Sequence, residues 1–418
     1  MILETLLNSK DFHFTTEFQG ELFLELPKVA RTYDLEVNSA RIPVYKSEFW
    51  TSKQRQANSI HEISYRACFK PQLPSFFIKL LTDPGSKVYD PFSGRGTTCL
   101  EAGLLGRRVA ANDINPLSQI LISPRFFPPD ETELSERLSK IKLDPNSRSD
   151  LDLSMFYHPK TLSEVLSLRA YLFERRINGQ EDPLDSWIRM VATNRLTGHS
   201  NGFFSVYTLP PNQAVSAESQ IKINQRLKQV PVYRNIKEII RRKTGSLLRT
   251  ISALDRENLV KTGASVQFMC SEADDTKELE SCSVDLTVTS PPFLDVVQYA
   301  QDNWLRCWFN HIDHERISKQ ITTAKTVDQW RAKMKAVFQE LYRVTKTGGW
   351  VAFEVGEIRK NTIRLEEIIA PVGMSIGFEC NGIIINSQEF TKTANIWGVN
   401  NNKAGTNTNR IVLFRKTV

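Results

Sequence analysis

A strand, a turn that contains two glycines, a helix and a second strand follow one another within residues 87–114. The apolar pattern predicts the first strand over 87–90, the helix over 98–106 and the second strand over 108–114. A β-α-β unit of this type needs a parallel sheet, and it places bound ligands at the carboxyl ends of the strands. This unit therefore restricts the chain to the α/β class.

The strand pattern resumes after a long interruption. Further strands are predicted at five places, namely 265–270, 284–290, 349–355, 382–386 and 410–414. The last two have the pattern of an antiparallel hairpin that closes the sheet. We therefore expect a doubly wound, Rossmann-like sheet with a C-terminal antiparallel hairpin.

The interruption divides the chain into segments. Residues 124–262 show mainly helical patterns, most clearly over 162–174, so we expect a mainly helical insertion there. The α/β domain would consist of 61–123 and 263–418. Residues 1–60 contain hints of strand but no motif that indicates a role.

Composition argues against several classes of protein. No stretch approaches the roughly 18 consecutive apolar residues of a membrane-spanning helix, and no signal peptide is recognisable near Met1. The six cysteines and six histidines are dispersed, with no Cys-x-x-Cys pair. We therefore expect a cytoplasmic protein with reduced thiols, no bound metal and no membrane partner.

Two features at the strand ends point to an adenosine-containing ligand. Gly94 and Gly96 directly follow the first strand, where glycine lets the backbone turn tightly and approach a ligand. Asp113 ends the next strand, and a carboxylate there can accept hydrogen bonds from both hydroxyls of a ribose. No third glycine completes the dinucleotide-binding pattern.

A third feature is the tetrapeptide Ser290-Pro291-Pro292-Phe293, which follows the strand predicted over 284–290. Two prolines stiffen the loop and remove two backbone donors, so their carbonyls are available as acceptors. The carbonyl and the Ser290 hydroxyl suit a ring amine, and Phe293 offers a stacking face. A base in a duplex reaches such a pocket only after flipping out. The alternative to a binding site is a plain Pro-Pro turn after a buried strand.

The net charge of +7 is concentrated in one segment. Residues 221–249 carry nine lysines and arginines against Glu238 alone. A local basic patch suits a phosphate backbone, although a solvated helix face has the same composition. The candidate nucleic-acid-binding residues are Arg234, Lys237, Arg241, Arg242 and Lys243.

Taken in order, these segments resemble the DNA amino-methyltransferases of bacterial restriction–modification systems, which form N4-methylcytosine or N6-methyladenine. The resemblance covers about 61–123 and 265–418, and it is carried by 70–74, 90–98, 112–116, 289–293 and 340–350. It implies an S-adenosylmethionine-dependent methyltransferase sheet and double-stranded DNA as substrate. It also makes a restriction endonuclease that acts on the same site a candidate partner.

The resemblance also implies roles for individual residues. Ser290, Pro291, Pro292 and Phe293 would hold the target base as the catalytic tetrapeptide. The cofactor S-adenosylmethionine would be bound by Lys70, Pro71, Asp90, Pro91, Phe92, Gly94, Gly96, Thr97, Thr98, Asp113, Ile114 and Asp274. Asp275 is an alternative to Asp274 for the adenine contact.

The sequence departs from the family at two points. Phe293 stands where tyrosine is usual, and the insertion lies in an unusual place, between the ribose-binding segment and the third strand. Ser290 is typical of the family's N4-cytosine enzymes, so we expect methylation of cytosine N4. Methylation of cytosine carbon 5 would need a thiol nucleophile after a proline, and none of the six cysteines follows one. Three alternatives stay open: an N6-adenine enzyme, an RNA amino-methyltransferase and an inactive nucleic-acid-binding protein.

Overall fold

The computed structural model of the protein describes residue 7 and residues 31–37, 40–50, 57–66, 68–149, 151–209, 214–292, 302–320, 324, 326–358, 363–387 and 408–418. In these ranges, no helix is both long enough and apolar enough to cross a membrane.

A nine-stranded mixed sheet forms the centre of the described chain. Its strands are β1 (Tyr33–Val37), β2 (Ala40–Ser47), β3 (Lys87–Asp90), β4 (Arg108–Asn112), β5 (Gln267–Met269), β6 (Val284–Thr289), β7 (Thr345–Val355), β10 (Glu379–Ser387) and β11 (Thr408–Arg415). Two short strands, β8 (Glu357–Ile358) and β9 (Ile363–Arg364), form a separate antiparallel pair.

The spatial order of the sheet is β1-β2-β10-β11-β7-β6-β3-β4-β5. Strands β5, β4, β3, β6 and β7 are all parallel, and the order in which the chain adds strands reverses between β3 and β6. Such a reversal is the topological switch point at which doubly wound sheets bind ligands. The C-terminal hairpin of β10 and β11 is antiparallel, so the predicted fold class is confirmed. Beyond that hairpin, β2 pairs in parallel with β10, and β1 extends the sheet.

Helices connect the strands and build the insertion. They are α1 (Gln72–Leu81), α2 (Thr97–Leu104), α3 (Leu117–Ile122), α4 (Glu131–Lys140), α5 (Pro159–Ile177), α6 (Pro183–Arg195), α7 (Ala217–Leu227), α8 (Ile236–Leu248), α9 (Ala253–Gly263), α10 (Trp304–Phe309), α11 (His314–Gln320), α12 (Val327–Val344) and α13 (Leu365–Ile376). Short 3-10 helices lie at Ser59–His61 and Ser123–Phe126.

Both faces of the sheet are buried, and alternate residues of a strand supply opposite faces. On β10, Ile383 and Ile385 belong to one apolar cluster, whereas Ile384 belongs to the cluster on the other side. Helices α12 and α13 cover the first face, and α1, α2 and α9 cover the second. The central strands are therefore mainly apolar, although polar residues such as Thr287 of β6 are buried within them.

A third apolar cluster lies mainly in the insertion. Trp187 of α6 is fully buried there, and its indole Nε1 donates to Thr244 Oγ1 of α8 at 3.0 Å. The same cluster includes Leu305 and Phe309 of α10, the helix that comes after the tetrapeptide. Helices from both sides of the interruption therefore share one core.

Candidate active site at the carboxyl edge of the sheet

The glycine turn and the end of β4 are in direct contact. The backbone amide of Gly94, at φ +49°, donates to Asp113 Oδ2 at 2.8 Å. Asp113 Oδ1 accepts from the amide of Asn115 at 2.9 Å. Burial raises the pKa of Asp113 to about 6, and the two amide hydrogen bonds oppose that rise. The geometry joins two of the sequence motifs at one edge of the sheet.

Gly96 has a separate requirement. It begins α2 with φ +81°, and a Cβ there would lie 2.4 Å from Cγ1 of Ile122. A side chain at this position would push α3 away from the turn. The structure therefore explains Gly96 by helix packing as well as by backbone conformation.

Asp90 ties the glycine turn to the neighbouring strand β6. It is buried, and its Oδ1 accepts from the Phe92 amide at 3.1 Å and from Thr289 Oγ1 at 2.7 Å. Burial raises the pKa of Asp90 to about 7. Thr98 adds a second link, because its hydroxyl donates to the carbonyl of Val288 at 3.0 Å. The turn is thus fixed against the strand that leads into Ser290.

The tetrapeptide is held by residues that the sequence reasoning did not single out. The carbonyl of Pro292 accepts from Trp330 Nε1 of α12 at 3.0 Å. Ser290 hydrogen-bonds Glu354, a buried carboxylic acid near the end of β7. Phe293, the predicted stacking residue, lies outside the described residues.

Glu354 lies close to the predicted catalytic residues. Its Oε1 accepts from Asn409 Nδ2 of β11 at 3.1 Å. Burial raises the pKa of Glu354, while the hydrogen bonds from Ser290 and Asn409 favour the carboxylate and lower it. The signal in the sequence was a glutamate inside the apolar strand 349–355.

The two candidate adenine contacts after β5 have different surroundings. Both carboxylate oxygens of half-buried Asp274 accept from Lys333 Nζ of α12, at 2.9 and 3.0 Å. Asp275 is exposed and pairs with Lys277 at 2.9 Å. Asp274 is therefore the more fixed of the two, and Lys333 is a neighbour that sequence spacing did not reveal.

The remaining predicted cofactor residues lie in the segments around this edge. Lys70 and Pro71 precede α1, and partial burial lowers the pKa of Lys70. The other three each accept one hydrogen bond. The carbonyl of Pro91 accepts from Asn112, the carbonyl of Ile114 from Cys270, and the hydroxyl of Thr97 from Arg95. Within the described residues, no group of three His, Cys, Asp or Glu side chains could hold a metal ion.

Three arginine side chains donate hydrogen bonds to backbone carbonyls of residues 60–64, the segment that precedes α1. Arg95 of the glycine turn donates to the Ile63 carbonyl at 3.0 Å, and fully buried Arg125 donates to the Ile60 carbonyl at 3.1 Å. Arg306 of α10 donates to the Ser64 carbonyl at 3.1 Å. Burial lowers the pKa of Arg125 to about 9. These cations stabilise the backbone beside the site.

The predicted nucleic-acid-binding residues lie on α8 or directly before it, and they contact groups of the protein itself. Lys237 donates to the Ile141 carbonyl at 2.6 Å, and Lys243 donates to the Glu62 carbonyl. Burial lowers the pKa of Lys243 to about 7. Arg241 pairs with Glu238. The other two bind Asn201, Arg234 through the side-chain oxygen and Arg242 through the carbonyl.

Comparison with known proteins adds a family context. Residues 30–120 match the model of a family described as DNA methylase. The type II methyltransferase M.MvaI of Kocuria varians is 25% identical over 263 residues, which are 57% of this chain and 54% of that protein. The chain thus spans about half the length of the curated relative that it matches. Both matches are to proteins described as DNA methylases or methyltransferases.

Solved structures give more distant similarities. A candidate DNA modification methylase from Thermus thermophilus has a TM-score of 0.21 at 20% identity, over 35% of this chain and 50% of its own. The rRNA methyltransferase aviRa from Streptomyces viridochromogenes has a TM-score of 0.33 at 12% identity, over 88% and 94%. An S-adenosylmethionine-dependent methyltransferase from Methanosarcina mazei has a TM-score of 0.31 at 10% identity, over 82% and 97%. Because these TM-scores are low, the strand order remains the basis of the fold assignment.

Proposed function

We propose that this chain transfers a methyl group from S-adenosylmethionine to the exocyclic N4 amine of cytosine in duplex DNA. One observation carries the proposal: Gly94 of the glycine turn hydrogen-bonds Asp113, and Asp90 of the same turn hydrogen-bonds Thr289, the residue before Ser290. The proposed cofactor and base segments therefore share one edge of the sheet at its switch point. The similarity to DNA methylases supports DNA as the substrate.

The residues at this edge fit an adenosine-bearing cofactor. Asp113 is half-buried and already oriented by two backbone amides, so its carboxylate can accept further hydrogen bonds from ribose hydroxyls. Bound S-adenosylmethionine supplies an activated methyl group, and Lys70, Gly94 and Asp113 would hold it. No covalent intermediate with the protein is needed.

The amine would be oriented by acceptors on the tetrapeptide. The Pro292 carbonyl already accepts from Trp330, so we assign the acceptor role to the Pro291 carbonyl and the Ser290 hydroxyl. The hydrogen bond from Ser290 to Glu354 would orient the serine oxygen so that its lone pairs face the amine. These acceptors stabilise the positive charge that grows on the attacking nitrogen, and catalysis would otherwise consist mainly of positioning.

Cytosine is preferred over adenine because Ser290 is typical of N4-cytosine enzymes in the family that the chain resembles. A target base inside a duplex must be flipped out to reach Ser290. Phe293 is assigned to stacking on that base. A cognate restriction endonuclease is a further proposed partner.

The test is methyl transfer from labelled S-adenosylmethionine to mixed-sequence duplex DNA and, separately, to total RNA, followed by nucleoside analysis. We expect N4-methylcytosine in DNA. N6-methyladenine would overturn the assignment to cytosine, and label in RNA alone would overturn the assignment to DNA. The absence of label from both, together with absence of S-adenosylmethionine binding, would leave a binding protein without catalysis.

Two variants connect that assay to the site. Asp113→Asn should weaken S-adenosylmethionine binding, and Asp83→Asn, which changes an exposed carboxylate before β3, is its matched control. Ser290→Ala should lower the transfer rate while leaving cofactor binding intact. Equal effects of Asp113→Asn and Asp83→Asn would contradict the assignment of the ribose site.

A further inference from the structure

Helix α7 of the insertion is mostly exposed. Gln220 is its one buried residue, and Ile221 and Leu227 are 42% and 45% exposed. A surface helix is ordinarily held by an apolar stripe that faces the core. The attachment of α7 is polar: Gln220 Nε2 donates to the Tyr207 carbonyl at 3.0 Å, and Asn224 Nδ2 donates to the Met155 carbonyl at 2.7 Å.

The side of α7 opposite this attachment is basic. At 3.6 residues per turn, Lys222, Gln225 and Arg226 lie on the side away from Gln220 and Asn224, and Lys228 follows at the end of the helix. All four are exposed, with Glu218 the acidic residue among them. Within the described ranges, the three cations form no ion pair or side-chain hydrogen bond. We call Lys222, Gln225, Arg226 and Lys228 the α7 face.

The segment that leads into α7 is hydrogen-bonded to residues 302–304, which follow the tetrapeptide in the chain. The amide of Ala214 donates to the Asp302 carbonyl at 3.1 Å, and Trp304 Nε1 donates to the Val215 carbonyl at 3.1 Å. From the same region, Arg306 binds the Ser64 carbonyl, next to the Ile63 carbonyl that Arg95 of the glycine turn binds. Separate hydrogen bonds to the short segments 63–64 and 302–306 therefore connect the glycine turn with the start of α7.

We propose that the α7 face binds the phosphate backbone of the DNA duplex beside the target base. The inference rests on the proposed function and adds the surface that grips the substrate. These three cations have no protein partner in the part of the chain that the structure describes, and exposed Lys and Arg are suited to the phosphates of a polyanion. Lysine is depleted at the centre of protein–protein interfaces, so a protein partner fits this face less well.

The experiment compares two triple variants of the full chain. One is Lys222→Ala, Arg226→Ala, Lys228→Ala. The other, Lys79→Ala, Lys261→Ala, Lys335→Ala, removes the same charge from exposed lysines on α1, α9 and α12. Binding of a fluorescent mixed-sequence duplex is measured by anisotropy from low to physiological salt, beside S-adenosylmethionine binding and the size of the protein in solution.

We expect the α7 variant to lose at least about tenfold in duplex affinity at low salt, and the slope of log K against log salt to fall by about 2 to 3. Cofactor binding should stay unchanged in both variants. Equal losses in the two variants would overturn the proposal, because net charge alone would then explain them. A change in oligomeric state without a change in DNA binding would overturn it in favour of a protein interface.

The two proposals fail in different ways. If the wild-type protein methylates DNA and the α7 variant binds duplex as tightly as the wild type, the α7 proposal is wrong and the proposed function stands. If the wild type labels RNA alone, the proposed function fails first, and the α7 proposal, which specifies a DNA duplex, fails with it.

Discussion

Helices α7 and α8 are neighbours in the insertion and share one basic segment, yet they use their charges in opposite ways. Lys237 and Lys243 of α8 donate hydrogen bonds to backbone carbonyls of distant segments. The apolar side of α8 is buried through Ile236, Ile239 and Ile240. Lys222 and Arg226 of α7 are exposed. Charge density in a sequence therefore does not separate basic side chains that are held within the fold from those that are available to a ligand.

The largest expected difference between the helices is in stability. Ile240→Ala should lower the free energy of unfolding by about 2–5 kcal/mol, because it opens a cavity beside Trp187 in the insertion core. Ile221→Ala on α7 should change it by less than about 0.5 kcal/mol. Urea denaturation followed by fluorescence measures both. Similar losses in the two variants would mean that α7 is buried by residues outside the described ranges.

A second prediction concerns the polar attachment of α7. Asn224 Oδ1 accepts from Gln220 Nε2 at 2.8 Å and from Gln229 Nε2 at 2.9 Å, so it is the centre of the network. Asn224→Ala should cost about 1–3 kcal/mol in unfolding free energy, because partners that are partly buried lose their hydrogen bonds.

The same variant should also weaken duplex binding, since α7 would no longer be held in place. Gln225→Ala, on the exposed side of the helix, is the control for stability and should leave the urea midpoint unchanged. If Asn224→Ala were as stable as the wild type, the polar network would not be what holds α7 to the insertion.

The difference between what the sequence predicts and what it misses follows from the range of the interactions. The β-α-β unit and the C-terminal hairpin were predictable because apolar runs, glycines and turns are local signals. The partners of Lys237 and Lys243 are carbonyls 96 and 181 residues away, and no local pattern encodes them. The sequence therefore predicts DNA-binding residues on and just before α8, and its local pattern does not distinguish them from the cations of α7.

The candidate site shows the same division. Gly94, Asp113 and Ser290 stand out because their residue types follow predicted strands. Trp330 and Glu354 were missed, since their importance comes from contact with the tetrapeptide across the fold. Glu354 carried one signal, an acidic residue in an apolar strand, which becomes meaningful only when β7 is known to lie beside β6.

A third prediction uses pH. Burial lowers the pKa of Lys243 from 10.5 to about 7, so between these values the unfolded chain binds a proton that the folded protein does not. Stability should therefore rise with pH through that window, and the destabilisation caused by burying the charged Lys243 should be fully present below about pH 7. Lys243→Met should remove this part of the rise, as measured by thermal unfolding at several pH values. Lys222→Met on α7 should keep the pH dependence of stability that the wild type shows. If stability changed with pH in the same way in both variants, the pKa of Lys243 would not be lowered.

The smallest effect is expected where a cation of α8 is exposed like those of α7. Arg241 pairs with Glu238 one turn earlier, at 2.9 Å, and both side chains are about half exposed. Exposed pairs of this spacing contribute little to stability, so Arg241→Ala should leave the urea midpoint unchanged. Its effect on duplex binding is the sharper measurement, because the α7 proposal predicts a much smaller loss than for Arg226→Ala. Equal losses of duplex affinity in Arg241→Ala and Arg226→Ala would mean that the DNA-binding surface extends onto α8. The two helices would then differ in burial but not in DNA binding.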